Sequence, residues 1–258
     1  MPSWRDTLRL LLVVSLLTAA ACRPSEVHVL AASSLTDAMK EIAAGYEKAN
    51  PGERVVLDLA GSNALQLQIE HGARADVFLP ADEARMDALA AKGLIDASSR
   101  IDLLSNSLVV IVPGDRATHL DALRQLAAQQ FRRIALADPS VVPAGVYARK
   151  ALETAGIWND VAPRVVPAVN VRAALAAVEW GAVDAGMVYR TDAILSSRVV
   201  IAFEVPPADS PSIVYPAAVV ERSDRPEAAR RFLAWLRSPA SAATFRKFGF
   251  GVAGAPPG

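Results

Sequence analysis

The sequence predicts an α/β protein of two lobes, joined by two crossings of the chain. Three observations lead there. Apolar, β-prone runs alternate with amphipathic segments of about 10–15 residues, the pattern of sheets covered by helices. A polar, Pro-rich connector at 206–211 (PPADSP) interrupts that series. The stretch beyond it, 212–258, holds only one strand and two helices, too little for a domain, so it completes the lobe that opens the chain. The lobes are then 22–105 plus 212–258, and 106–211, hinged about a cleft. A single large doubly wound sheet is the other arrangement this pattern allows.

In the first lobe, residues 27–31 (VHVLA) read as a strand that turns over at Ser33-Ser34. A helix over 35–49 follows, with Leu35, Met39, Ile42 and Tyr46 on one face, closed by Asn50-Pro51-Gly52. Ser34 precedes Asp37 by three residues, a capping-box spacing that lets its hydroxyl satisfy a free helix N–H. A second strand at 54–59 (RVVLDL) runs into Gly61-Ser62-Asn63 and a helix closed by His71-Gly72. A third strand at 76–79 (DVFL) leads through Ala81-Asp82 into a helix ending at Lys92-Gly93. Such alternation predicts a parallel sheet covered on both faces.

The second lobe repeats the theme. Ser105-Asn106-Ser107 lead into a strand at 108–113 (LVVIVP), a helix over 121–129 and a strand at 134–137 (IALA). A Pro-rich loop at 138–145 (DPSVVPAG) enters a helix over 146–155. A short strand at 164–167 precedes Asn170, which caps a helix over 171–180. A strand at 185–189 (AGMVY) ends in Tyr189, Thr191-Asp192 open a short helix, and 199–205 (VVIAFEV) closes the lobe. After the connector, 213–220 is extended. Two helices follow, one with Pro226 in its first turn and one capped by Ser238 ahead of Pro239. Residues 251–258 are expected to be loose.

Composition narrows the function. Twenty-seven Lys and Arg balance 27 Asp and Glu, and aromatic residues make up 6%, which excludes a basic, base-stacking nucleic-acid surface. Arg5 and Arg9 precede an apolar run of about a dozen residues, too short for the roughly 20 that span a bilayer. It ends in Ala19-Ala20-Ala21, so residues 1–21 read as a signal peptide. The single cysteine, Cys22, follows directly, in a small-small-Cys junction that resembles a bacterial lipobox with Ala19 in place of the usual Leu. The mature chain is expected in the periplasm or on the outer face of a membrane, without disulfides. Its only membrane contact would be a lipid on Cys22.

The helix starts at strand ends carry the chemistry, because unpaired N–H groups and the helix dipole there favour an anion. Ser33-Ser34 and Gly61-Ser62-Asn63 supply them in the first lobe, Pro143-Ala144-Gly145 and Asn170-Val171 in the second, with the Tyr189 phenol beside them. Neutral donors alone suit a fully deprotonated tetrahedral oxyanion, since a proton on the anion would be buried unpaired. Asp37, Arg149 and Arg172 read as solvated helix faces. Enzymatic chemistry finds no support. The three histidines, 28, 71 and 119, share no metal spacing, no nucleophile-elbow or nucleotide-binding motif occurs, and Ser34 and Ser62 have no evident base.

At this point VLAASSLTDAM, LDLAGSNALQLQIEHGARADVFLPAD, NSLVVIVPG, ALADPSVVPAGVYARKAL, NVRAALAAVEWGAVDAGMVY and the closing KFGF together resemble the periplasmic molybdate-binding proteins of ABC importers, through essentially the whole mature chain. The resemblance implies a type II periplasmic-binding-protein fold closing on molybdate, with tungstate close behind. The protein would have no cofactor and no catalytic role. Carried over residue by residue, the ligand contacts are Ser34, Ser62, Ala144, Val171 and Tyr189, which reach the metal centre only through the anion's oxygens. The implied partners are a membrane permease and its cytoplasmic ATPase, with the receptor a monomer. Many relatives carry more serine around the second turn, where Gly61 and Asn63 flank Ser62 here. A related branch completes octahedral coordination with two carboxylates, whose places hold Val142 and Val188 in this chain. Rival readings are a receptor for sulfate or thiosulfate, an enzyme on a similar two-lobe fold, and the sensing domain of a regulator.

Overall fold

The computed structural model describes residues 25–252. The expected signal peptide at 1–21, Cys22 and residues 253–258 lie outside the described residues. Two sheets organise the chain, in place of one doubly wound sheet.

The first sheet has the order β11-β4-β10-β3-β1-β2. Strands β1 (Ser25–Ala32), β2 (Glu53–Ala60) and β3 (Val77–Leu79) run parallel, with Val27 opposite Val55 and Val29 opposite Val77. Strand β10 (Ile213–Val219) adds antiparallel to β3 and to β4 (Ile101–Asn106), and the short β11 (Gly251–Val252) pairs antiparallel with β4. Side chains of β1 alternate between faces. Val27, Val29 and Ala31 pack with Met39 and Tyr46 of α1 (Thr36–Ala49), and with Phe232 of α8 (Pro226–Leu236). The Tyr46 and Phe232 rings meet edge to face at 5.1 Å. Leu30 faces the other way, onto Leu65 and Ile69 of α2 (Ser62–Glu70) and Met86 and Leu89 of α3 (Glu83–Ala91). Burying each of these large side chains contributes about 1.5–3 kcal/mol.

The second sheet has the order β7-β6-β8-β5-β9. Its parallel part is β6 (Ile134–Ala137), β7 (Val165–Ala168) and β8 (Ala185–Tyr189); β5 (Leu108–Pro113) adds antiparallel to β8, and β9 (Val199–Glu204) antiparallel to β5. Helices α4 (Pro143–Thr154), α5 (Trp158–Val161), α6 (Val171–Glu179) and α7 (Arg190–Ala193) belong to this half, and α9 (Pro239–Lys247) returns to the first. The chain passes from the first sheet to the second at Ser107 and returns between Glu204 and Ile213.

Several elements differ from the sequence expectation. Both sheets are mixed, because each crossing delivers a strand, β5 or β10, that enters its new sheet antiparallel. Strand β4 went unseen; its pairing is made with β10, far along the chain. Residues 121–129 form only a 3₁₀ turn, Leu123–Ala127, whose buried Leu123 and Leu126 eclipse at the three-residue repeat. Helix α4 begins at Pro143, three residues earlier than expected, with Pro at its first position where the missing N–H costs nothing. The terminal segment is tied down at Gly251 and Val252 by β4. Among the described residues, no helix is long and apolar enough to cross a membrane.

Candidate functional site

Four chain reversals converge between the two sheets. After β1 the chain makes a 3₁₀ turn, Ser33–Leu35, all three residues buried. After β2, Gly61 precedes α2; after β6, Val142 precedes α4; after β7, Asn170 precedes α6. Gly61 and Val142 offer no side-chain cap, so the first N–H groups of α2 and α4 stay free. The Asn170 side chain accepts from Ala173 N, further into α6, at 2.9 Å, leaving the Val171 N–H available. These helix starts bring partial positive charge to one point without a formal charge.

Ser34, Ser62, Ala144, Val171 and Tyr189 all line one cavity there, of about 200 Å³ counted to its mouth. Its enclosed part, about 10 Å³, is far below the 300–1,000 Å³ usual for a drug-sized ligand or cofactor, so the site suits nothing larger than a small ion. Among the described residues no charged one lines it, and Val142 does, as an apolar wall. Val188 lies elsewhere, buried in β8 opposite Val109. Gly61 brings the first lobe's backbone against the second: a Cβ added there would sit 3.0 Å from the Val169 carbonyl oxygen.

Each hydroxyl is held by the fold. Ser62 Oγ accepts from Ala81 N at 2.9 Å, which leaves its own proton for a ligand. Ser34 Oγ lies 3.0 Å from the Tyr215 hydroxyl, and Asn106 Nδ2 donates to Tyr215 Oη at 3.1 Å. The expected capping role of Ser34 is therefore overturned. The 3₁₀ turn moves the start of α1 to Thr36, and it is Thr36 Oγ1 that donates back to the Ser33 carbonyl, at 2.7 Å. Tyr189 is 1% exposed and its hydroxyl has no hydrogen-bond partner among the described residues. Burial pushes that hydroxyl well above the usual tyrosine range, so it keeps its proton. A buried donor left unpaired costs about 1–3 kcal/mol, which an acceptor placed in the cavity would recover.

The charged neighbours are not solvated helix faces, with one exception. Arg172 on α6 pairs with Asp37 on α1 at 2.8 Å and with the fully buried Asp192 on α7 at 2.5 Å, tying the lobes together beside the cavity. Arg149 is the exception; it pairs with Glu153 on its own helix and stays half-exposed. Burial raises Asp192 from 3.8 to about 6, against the pull of Arg172 and with a further push from Asp37. Between those values the native state holds more protons than the unfolded chain, so this group's contribution to stability is full at low pH and declines as pH rises through the window. Relative to an Asp192→Asn variant, the parent should lose melting temperature as pH goes from about 4 to about 6. Parallel difference curves across that range, measured by calorimetry, would place the charge elsewhere.

Sequence reasoning missed Tyr215, Asn106, Asp192 and the Ala81 N–H. Tyr215 stands in an apolar run where its hydroxyl was the only signal, and Asn106 between two serines at a strand junction.

With this geometry in place, the profile of the family described as bacterial extracellular solute-binding protein matches residues 27–251. The chain belongs to that family. The molybdate-binding protein ModA of Escherichia coli is 38% identical over 236 residues, covering 88% of this chain and 89% of the relative. A putative ABC transporter substrate-binding lipoprotein of Bacillus subtilis, YvgL, is 35% identical over 222 residues, 86% and 85% of the two chains. Among solved structures, the Azotobacter vinelandii periplasmic molybdate-binding protein superposes with a TM-score of 0.78 at 25% identity, covering 90% of this solute-binding protein and 100% of that chain. The fold is thus that of the periplasmic binding proteins.

Proposed function

We propose that this solute-binding protein is a receptor that captures molybdate, and tungstate with it, and delivers the anion to the permease of an ABC importer driven by a cytoplasmic ATPase. The observation that carries the reading is that Tyr189, whose buried hydroxyl has no partner among the described residues, lines one small cavity with Ser34, Ser62, Ala144 and Val171. Every one of these groups can donate, and none needs to be an acceptor, which matches a tetrahedral dianion without protons. The names of the relatives support molybdate among such anions. On this reading the role is binding without a cofactor and without turnover, which the transport names of the relatives support. Export through residues 1–21, a lipid on Cys22 and a monomeric receptor complete the proposal. The relative named a lipoprotein supports the anchor.

Titration calorimetry of the mature protein with molybdate, tungstate, sulfate and phosphate tests the assignment. Molybdate and tungstate should bind tightest, with closure around them. Sulfate bound as tightly as molybdate would sink it. Mass spectrometry of the mature N-terminus reads the state of Cys22.

A further inference from the structure

Asn106 touches nothing in the cavity, yet its position governs a hydroxyl that does. It closes β4 at the first crossing between the sheets. Its Oδ1 accepts from the Ser107 N–H at 2.9 Å, which turns its Nδ2 toward Thr191 Oγ1 at 2.8 Å and Tyr215 Oη at 3.1 Å. An amide nitrogen only donates. Tyr215 Oη is thus occupied as an acceptor, and its own proton has one acceptor within reach among the described residues, Ser34 Oγ at 3.0 Å. The reverse direction, Ser34 donating to Tyr215, would leave the Tyr215 proton buried and unpaired, since Tyr215 is fully buried. Ser34 therefore accepts from behind and presents its proton to the cavity.

We propose that Asn106, acting through Tyr215, is a positioning residue that fixes Ser34 as a donor and so excludes oxyanions that carry a proton. The inference rests on the reading of the cavity as an oxyanion site. Its chemistry is a one-way chain: amide N–H to phenol, phenol O–H to serine, serine O–H to anion. A hydrogen phosphate ion needs at least one acceptor in the site. With Ser34 committed as a donor and Ser62 Oγ accepting from Ala81 N, neither serine readily offers one. An Asn106→Asp substitution keeps the bond from Ser107 N and turns the second oxygen into an acceptor. Tyr215 would then donate to that carboxylate, Ser34 would donate to Tyr215, and the Ser34 lone pair would face the ligand.

The test is titration of the full mature chain at mildly alkaline pH with molybdate, sulfate and hydrogen phosphate, for the parent, Asn106→Asp, Tyr215→Phe and the double variant. Asn106→Asp should weaken molybdate about 10- to 100-fold and narrow the gap between molybdate and hydrogen phosphate by at least about tenfold. Tyr215→Phe frees Ser34 to turn and should narrow the same gap. In its background the added carboxylate should change the ratio by less than about threefold, because the relay is already broken. Equal weakening of both anions by Asn106→Asp would mean that charge acts alone and would overturn the proposal. If Asn106→Asp fails to fold, an unchanged ratio in Tyr215→Phe overturns it equally. A parent that takes sulfate in preference to molybdate would fell the functional reading, while the sulfate-to-hydrogen-phosphate ratio would still report the relay.

Discussion

A Tyr189→Phe variant is expected to bind molybdate about 10- to 100-fold more weakly than the parent, while its ligand-free form melts no lower. The two effects part because no group among the described residues partners the hydroxyl. Removing it costs the fold no hydrogen bond to another described residue, and the ring keeps its packing 5.8 Å from Tyr215. The ligand, in contrast, loses a hydrogen bond to a charged acceptor, worth about 1.5–3 kcal/mol. Calorimetric melting without ligand and titration with it read the two halves separately. A variant that lost affinity and melting temperature together would show that the hydroxyl supports the fold. Ser62→Ala gives the useful contrast, since it strands the Ala81 N–H as well and should lower both.

Gly145→Ala should destabilise the protein by about 3 kcal/mol or more and weaken the ligand at least about tenfold. A Cβ at this position would lie 2.0 Å from the Ala137 carbonyl oxygen and 2.7 Å from that of Asp138. Both are backbone atoms at the end of β6, which no rotamer change can move aside. The first turn of α4 would have to lift off the sheet and carry the Ala144 N–H away from the cavity. Urea unfolding and anion titration check the pair of effects. An unchanged unfolding midpoint would mean that the turn has slack the packing does not suggest. Gly145 thus serves the site by allowing close approach of helix and strand, without touching the anion.

The layered architecture was legible because it rests on local patterns. The apolar, β-prone run of β1, the caps Asn170 and Ser238 and the starting Pro226 and Pro239 each act over a few neighbours, and each sits where its chemistry places it. The helix starts that build the site were legible on the same grounds, and Ser62 and Tyr189 stand out by their polar atoms. Ala144 and Val171 were marked only as parts of helix starts, and the resemblance singled them out, because what they would contribute is a main-chain N–H. The remaining parts depend on contacts between distant residues. Asn106 and Tyr215 are 109 positions apart, and Arg172 and Asp37 are 135 apart. Arg172 read as a surface residue because nothing along its own helix shows that Asp192 is buried beside it. Strand β4, with exposed Asp102 and Ser105, shows no clean alternation; its partners on both sides come from the end of the chain.

The free N–H groups at the starts of α2, α4 and α6 have a consequence for how such a receptor changes over generations. A donor that belongs to the main chain survives nearly every substitution at its own position, provided the helix start stays where it is. On the proposed reading, Ala144 could become serine, and Val171 isoleucine, without the anion losing a bond. Drift can therefore rewrite much of the cavity wall while affinity for a small dianion persists, and selection on ligand choice falls on the few hydroxyls and on what stands behind them. Two receptors could share this grip and look unrelated at half of their contact positions.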